Sequence, residues 1–184
     1  MTTTPMRPHS GTSIEPDAGV SSATSVFAAR SLAVLRIAYG LTFLWAFFDK
    51  LFGWGYATPS AKSWINGGDP TAGFLKSSDG PFADFYHGLV GDWWVTPLFM
   101  IGLAGIGLAL TLGIGMRIAA FCGTVLYLMM WSVALPPQTN PVLDDHILGA
   151  LTLIVLAATF AGNTWGLGKV WSSLSLVRRY GVLK

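Results

Sequence analysis

The segment NPVLDDHILGALTLIVLAATFAGN, running from Asn140 to Asn163, restricts the fold more than any other part of this chain. Asn140 is placed to cap a helix and Pro141 to occupy its first position. After Asp144, Asp145 and His146, no charged residue follows until Asn163 has been passed. Leu143 to Gly162 is about 20 residues, enough to cross a ~30 Å hydrocarbon core as a helix rising ~1.5 Å per residue. Three ionisable residues therefore stand at one mouth of an expected membrane helix.

Three more apolar runs belong with it. Only 11% of the 184 residues are charged and 52% are hydrophobic, against about 25% charged in a soluble domain. The expected spans are 31–52, 94–114, 118–135 and 143–162. The sequence predicts an all-α integral membrane protein, a four-transmembrane-helix bundle. Residues 53–92 separate the first two spans and are punctuated by Gly, Pro and Asp. A connection that long rarely stays structureless, so short interfacial helices are expected there. Residues 1–27, rich in Thr, Ser, Pro and Gly, read as a disordered tail. Residues 28–168 form the expected membrane domain, and 169–184 a basic amphipathic C-terminal helix.

Lys and Arg assign the sides. Arg7, Arg30, Arg117, Lys169, Arg178, Arg179 and Lys184 gather on one side. Lys62 and Lys76 lie on the other, with Lys50 at its edge. Both termini are thus expected in the cytoplasm of a bacterial plasma membrane, and the long segment outside. The one cysteine, Cys122, excludes an intramolecular disulfide and a Cys-x-x-Cys redox pair; it reads as a buried, inert thiol. No haem, flavin or metal motif is evident, and nothing points to nucleic acid.

Helical spacing suggests which residues turn inward. On the first span, Ser31, Ala38, Thr42, Trp45 and Asp49 share a small-and-polar stripe expected to face the bundle. Gly102, Gly105, Ala109 and Gly113 on the second, and Ala119 and Gly123 on the third, read as close-packing faces or a homo-oligomer contact. On the fourth, Asp145 and His146 are expected to point inward and Asp144 toward lipid. Asp49 and Lys50 end the first span at the depth where Asp145 and His146 begin the fourth. If those spans are neighbours, these four residues form a polar cluster at the outer mouth, with an imidazole able to shuttle protons near neutral pH. Such a cluster suits a quinone headgroup, and these four are the candidate catalytic residues. The structural alternative is a set of helix-packing ion pairs, macrodipole-matched acids and snorkelling anchors. Arg36, Trp45, Trp64 and Phe74 are the candidate quinone-holding side chains.

The set GLTFLWAFFDKLFGWGY, WINGGDPTAGFL, GIGMRIAA, NPVLDDHILGALTL and NTWGLGKVW resembles the DoxX/DoxD-like membrane proteins. It is similar in particular to an actinobacterial-looking branch of the thiosulfate:quinone oxidoreductase large-subunit type. The resemblance covers Ala28 to the C-terminus. The matching motifs are Asp49–Lys50 with Gly53, the Trp64/Gly67–Gly68/Gly73–Phe74 segment, Arg117, and Asp144–Asp145–His146. It implies a four-helix membrane bundle and electron transfer from thiosulfate or another sulfur compound to quinone, with a partner subunit supplying any further cofactor. The non-enzymatic alternatives are a membrane scaffold within a redox or respiratory assembly, and a lipid- or small-molecule-binding membrane protein.

Overall fold

The computed structural model describes residues 18–137, 140 and 142–183. Their secondary structure is helical, with no strand among them and a single isolated bridge between Trp54 and Pro59. Four long helices dominate: α1 (Ala18–Phe52), α4 (Val95–Leu112), α5 (Met116–Val133) and α6 (Asp145–Ala158). Three of them, α1 from Ser25, α4 and α5, are long and apolar enough to cross a membrane, and α6 is a shorter apolar helix. The protein is a multi-pass helical membrane protein.

Between α1 and α4 lie two 3-10 turns, Ser60–Lys62 and Trp64–Asn66, then α2 (Ala72–Lys76) and α3 (Ala83–Gly88). These are the short helices that a 40-residue semi-apolar connection was expected to form. Gly53 ends α1 in the left-handed conformation (φ +71°) and its N–H bonds back to the carbonyl of Asp49 at 2.7 Å. Its bare Cα also admits Ser60, whose Cα lies 2.5 Å from where a Cβ would stand.

Three boundaries differ from expectation. Helix α1 begins at Ala18, so residues 18–27 of the expected disordered tail are helical; the rest of that tail lies outside the described residues. Ala, Ser and Thr there permit a helix without any apolar face, which is why periodicity did not mark it. The expected C-terminal helix is instead α7 (Gly168–Ser173) and α8 (Ser175–Arg179), broken at Leu174 by its extended backbone, followed by a 3-10 turn, Gly181–Leu183. The fourth helix stops at Ala158 rather than near 162.

That early stop has a physical cause in Arg36. The chain beyond α6 turns through Phe160 (φ 52°) and Trp165 (φ 50°), a left-handed conformation that bulky residues rarely adopt. Their neighbours leave carbonyls with no helical partner. Arg36, 0% exposed in the middle of α1, supplies the donors. Its Nε donates to Ala161 O (3.2 Å), one Nη to Leu110 O and Thr111 O (3.0 Å to the latter), and the other Nη to Thr164 O (3.3 Å) and Trp165 O (2.9 Å). All five guanidinium N–H groups are thereby used. The cation also sits where the negative dipole ends of α4 and α6 converge.

Helix α1 packs mainly against α4, and α5 mainly against α6, while α4 and α5 touch each other less and α1 meets α6 sparsely. The core is apolar, built from Phe43, Met100, Leu103, Ile106, Leu110, Leu153 and Leu156. The buried stripe of α1 is Arg36, Gly40 and Phe43, whereas Ser31, Ala38, Thr42 and Trp45 are exposed. Four residues of the small-and-polar stripe were therefore assigned to the wrong side, while the fifth, Asp49, is buried as expected. Thr42 satisfies its hydroxyl on the Ala38 carbonyl of its own helix (2.9 Å) and needs no bundle partner.

Arg36→Lys is expected to destabilise the protein by about 3 kcal/mol or more, since an ammonium has three donors and cannot span both helix ends. Unfolding in mixed micelles would read this as a lowered midpoint. An unchanged midpoint would show that the carbonyls find other donors.

Candidate functional site

Asp49 and Lys50 close α1 but face different surroundings. The Asp49 carboxylate, 1% exposed, accepts the N–H groups of Tyr56 (3.3 Å) and Ala57 (3.0 Å). An acid at a helix C-terminus opposes the macrodipole, so these two charge-assisted bonds are what keep it there, and they fold the following loop over the helix end. Lys50 is half-buried and points into a groove described below.

At the start of α6 the expected facing is reversed for the two aspartates, while His146 turns inward as expected. Asp144 is the cap, with extended backbone (φ −134°, ψ −174°). Its carboxylate accepts the N–H groups of His146 and Ile147, both at 3.1 Å. Its other oxygen lies 2.7 Å from His146 Nδ1, forming an Asp–His pair. Asp145 is exposed. The facing inference treated Asp144 as helical; an extended cap instead swings its side chain back over the first turn. The His146 ring meets Tyr127 of α5 edge-on (centroids 6.2 Å apart), and Tyr127 meets Phe43 of α1 (5.4 Å). Among the described residues, no hydrogen bond or ion pair joins Asp49 or Lys50 to Asp145 or His146. The four-residue polar cluster is not assembled, because α6 leans on α5 rather than on α1.

Asp69 was not among the expected site residues, although Asp-Pro-Thr is a local turn signal. Its Oδ1 accepts the Thr71 hydroxyl (2.7 Å), the Thr96 hydroxyl (2.7 Å) and the N–H groups of Thr71 (3.0 Å) and Ala72 (3.1 Å). One oxygen thus pins the loop to the first turn of α4. Burial opposes the charge, but the hydroxyl and N–H donors outweigh it and hold the Asp69 carboxyl below its usual range.

A lateral groove of about 980 Å³ lies between α4 and α5. It lies along the lightly packed seam of these two helices, which are joined by the tight hairpin at Gly113 and Gly115, both left-handed. Lys50, Lys62 and Phe74 line its loop end, and Ile114 and Trp171 its hairpin end. The walls between are apolar: Leu98, Gly102 and Gly105 on α4, and Val125 and Met129 on α5. A Cβ at Gly102 or Gly105 would meet nothing within 4 Å. These two glycines therefore open the groove and pack against no helix of their own chain. Close contacts are made as expected by Gly113 against Gly162 and Gly123 against Leu153, and in addition by Gly40 against Thr111 and Gly107 against Leu44. Cys122 is exposed and lines the groove, so it is not the buried thiol expected.

Of the expected quinone-holding residues, only Phe74 lines this groove. Arg36 is committed to carbonyls. Trp64 packs against the bundle core. Trp45 is half-exposed and clusters with Trp54 (5.4 Å) and Tyr56 (5.0 Å), an arrangement typical of a membrane-interface aromatic belt.

The DoxX family model matches residues 31–135. The chain belongs to the DoxX family. No curated protein and no solved structure matches it. In this DoxX protein the matched region holds Arg36, Asp49, Asp69 and both walls of the groove, whereas the Asp144–His146 pair lies beyond it.

The depressed Asp69 carboxyl makes the loop side acid-sensitive. Its folded pKa lies below its unfolded value of about 3.9, so its stabilisation is complete above that pH and lost as pH falls through the lowered value. Local opening of residues 69–96, followed by hydrogen exchange, is expected to accelerate below about pH 4, and Asp69→Asn to remove most of that dependence.

Proposed function

We propose that this DoxX protein is a membrane-embedded binding subunit that takes a long-tailed amphiphile sideways into the α4–α5 groove. The observation that supports it is the groove itself: large, apolar along its walls, and charged at one end. Its volume lies at the upper end of ordinary ligand sites, which are apolar with a few polar groups that fix orientation. Along α4 it extends from Val95 to Ala109, about 21 Å of helix rise. The Lys/Arg asymmetry of the chain favours both termini in the cytoplasm of a bacterial plasma membrane, with the loop end of the groove outside.

A second reading is that the occupant is an isoprenoid quinone and the chain a quinone-linked oxidoreductase subunit of the DoxD-like, thiosulfate-oxidising type. Phe74 beside Lys50 at the loop end favours it, offering a ring face and a donor to a headgroup. Electrons from a sulfur compound would then arrive through a partner subunit. In that reading Asp144 and His146, rather than Asp145 and His146, are the pair equipped to handle a proton, but they stand at the α5–α6 contact and not among the groove-lining residues. A scaffold role draws support from Arg36 and Asp49, whose polar atoms are spent on the fold.

Gly105→Phe tests the groove without disturbing helix packing, because its side chain enters open space. Mass spectrometry of the purified protein is expected to show a co-purifying amphiphile in the wild type and its loss in the variant, at an unchanged thermal midpoint. For the quinone reading, thiosulfate-dependent quinone reduction by the isolated assembly should fall at least roughly tenfold in His146→Ala, within the usual contribution of a general base. An unchanged rate would remove that pair from the chemistry.

A further inference from the structure

The two ends of the groove differ in charge. At the loop end, Lys50 from the last turn of α1 and Lys62 from the first 3-10 turn both line the opening. At the hairpin end the lining is Ile114, Gly115 and Trp171, with no cation. The nearby acids offset the lysines only in part. Asp49 adds its charge close to Lys50, but its two oxygens are turned to the Tyr56 and Ala57 N–H groups. Asp69 spends its Oδ1 on Thr71, Ala72 and Thr96. Among the described residues, no carboxylate lies within ion-pair distance of either ammonium.

Two ammonium groups at the rim of an apolar slot, neither within ion-pair distance of a carboxylate, call for an anion on the end of a hydrocarbon tail. With Asp49 offsetting only part of the Lys50 charge, a headgroup of no net charge would leave positive charge unmatched, whereas an anionic phosphodiester supplies a full negative charge and several acceptor oxygens. Polybasic sites at a membrane surface favour anionic lipids through the same attraction. The groove is also open laterally along α4, where Gly102 and Gly105 leave backbone uncovered. A ligand already lying in the bilayer enters such a slot without leaving the hydrocarbon. The run of about 21 Å exceeds half of a ~30 Å hydrocarbon core, so one acyl chain of a single leaflet fits along it.

From this geometry we infer that the groove holds an anionic phospholipid from the leaflet on the loop side, its phosphate between Lys50 and Lys62 and an acyl chain along the Gly102–Gly105 wall. The inference rests on the groove being a ligand site, and it adds the headgroup class, the orientation of the ligand and the leaflet of origin. It assigns Lys62 a role as headgroup recognition, and turns Lys50 from a catalytic candidate into its companion.

The test uses the full chain in mixed micelles with equal amounts of phosphatidylglycerol and phosphatidylcholine of identical acyl chains, and native mass spectrometry of the lipid retained. The wild type is expected to hold phosphatidylglycerol in at least roughly tenfold preference. Lys50→Gln/Lys62→Gln should bring the two lipids to parity, and Gly105→Phe should hold neither. Circular dichroism melting confirms that both variants remain folded. Equal retention of the two lipids by the wild type, or a preference that survives the double substitution, overturns the headgroup assignment while leaving an occupied groove. A neutral isoprenoid quinone retained in preference to phosphatidylglycerol also overturns it, in favour of the quinone reading. No lipid on the wild type, with or without Gly105→Phe, removes the groove as a site altogether.

Discussion

The buried guanidinium of Arg36 is the constraint around which the bundle is arranged. A cation with no exposed surface inside a membrane protein is costly, and such residues persist only with full hydrogen bonding. Here the partners are backbone carbonyls from two places: α1 brings the donor, the end of α4 brings two acceptors, and the turn beyond α6 brings three. One side chain therefore sets the relative height of three helices. It also permits α6 to end early, since the carbonyls freed by the turn at Phe160 and Trp165 are satisfied from outside their own helix. In a membrane, where water cannot cap a helix, that substitution is decisive.

With one end of the bundle tied at Arg36, the other end is tied by carboxylates acting on backbone. Asp49 holds the chain leaving α1, Asp69 holds the loop to α4, and Asp144 starts α6. Each bonds N–H or hydroxyl donors; only Asp144 also pairs with an ionisable side chain. What remains loose is the α4–α5 seam. Its hairpin is tight but its helices touch lightly, and a groove runs between them. The groove is a consequence of where the ties are absent.

Much of this was legible in the residues. The apolar runs marked the four helices, the Gly/Pro/Asp-rich segment marked the short helices between the first two, and the motifs carried the family. Which faces turn inward was not legible. Thr42 looked like a bundle residue because polar groups in membrane helices usually seek partners, but it bonds to its own helix. Gly102 and Gly105 looked like contacts because small residues usually allow close approach, but the neighbouring helix is not there. Asp144 and Asp145 exchanged roles because a cap residue does not follow helical spacing.

The sequence by itself determined that this chain lives in a membrane as helices, since hydropathy and length act residue by residue and need no partner. It also determined the family, since that resides in short local motifs. Tertiary structure alone decided that Arg36 is spent on the fold, that Asp49 and His146 do not meet, and that Lys50 and Lys62 share the mouth of an open groove. Those outcomes depend on which helices pack together, and helical periodicity orients a face without naming the neighbour it will meet.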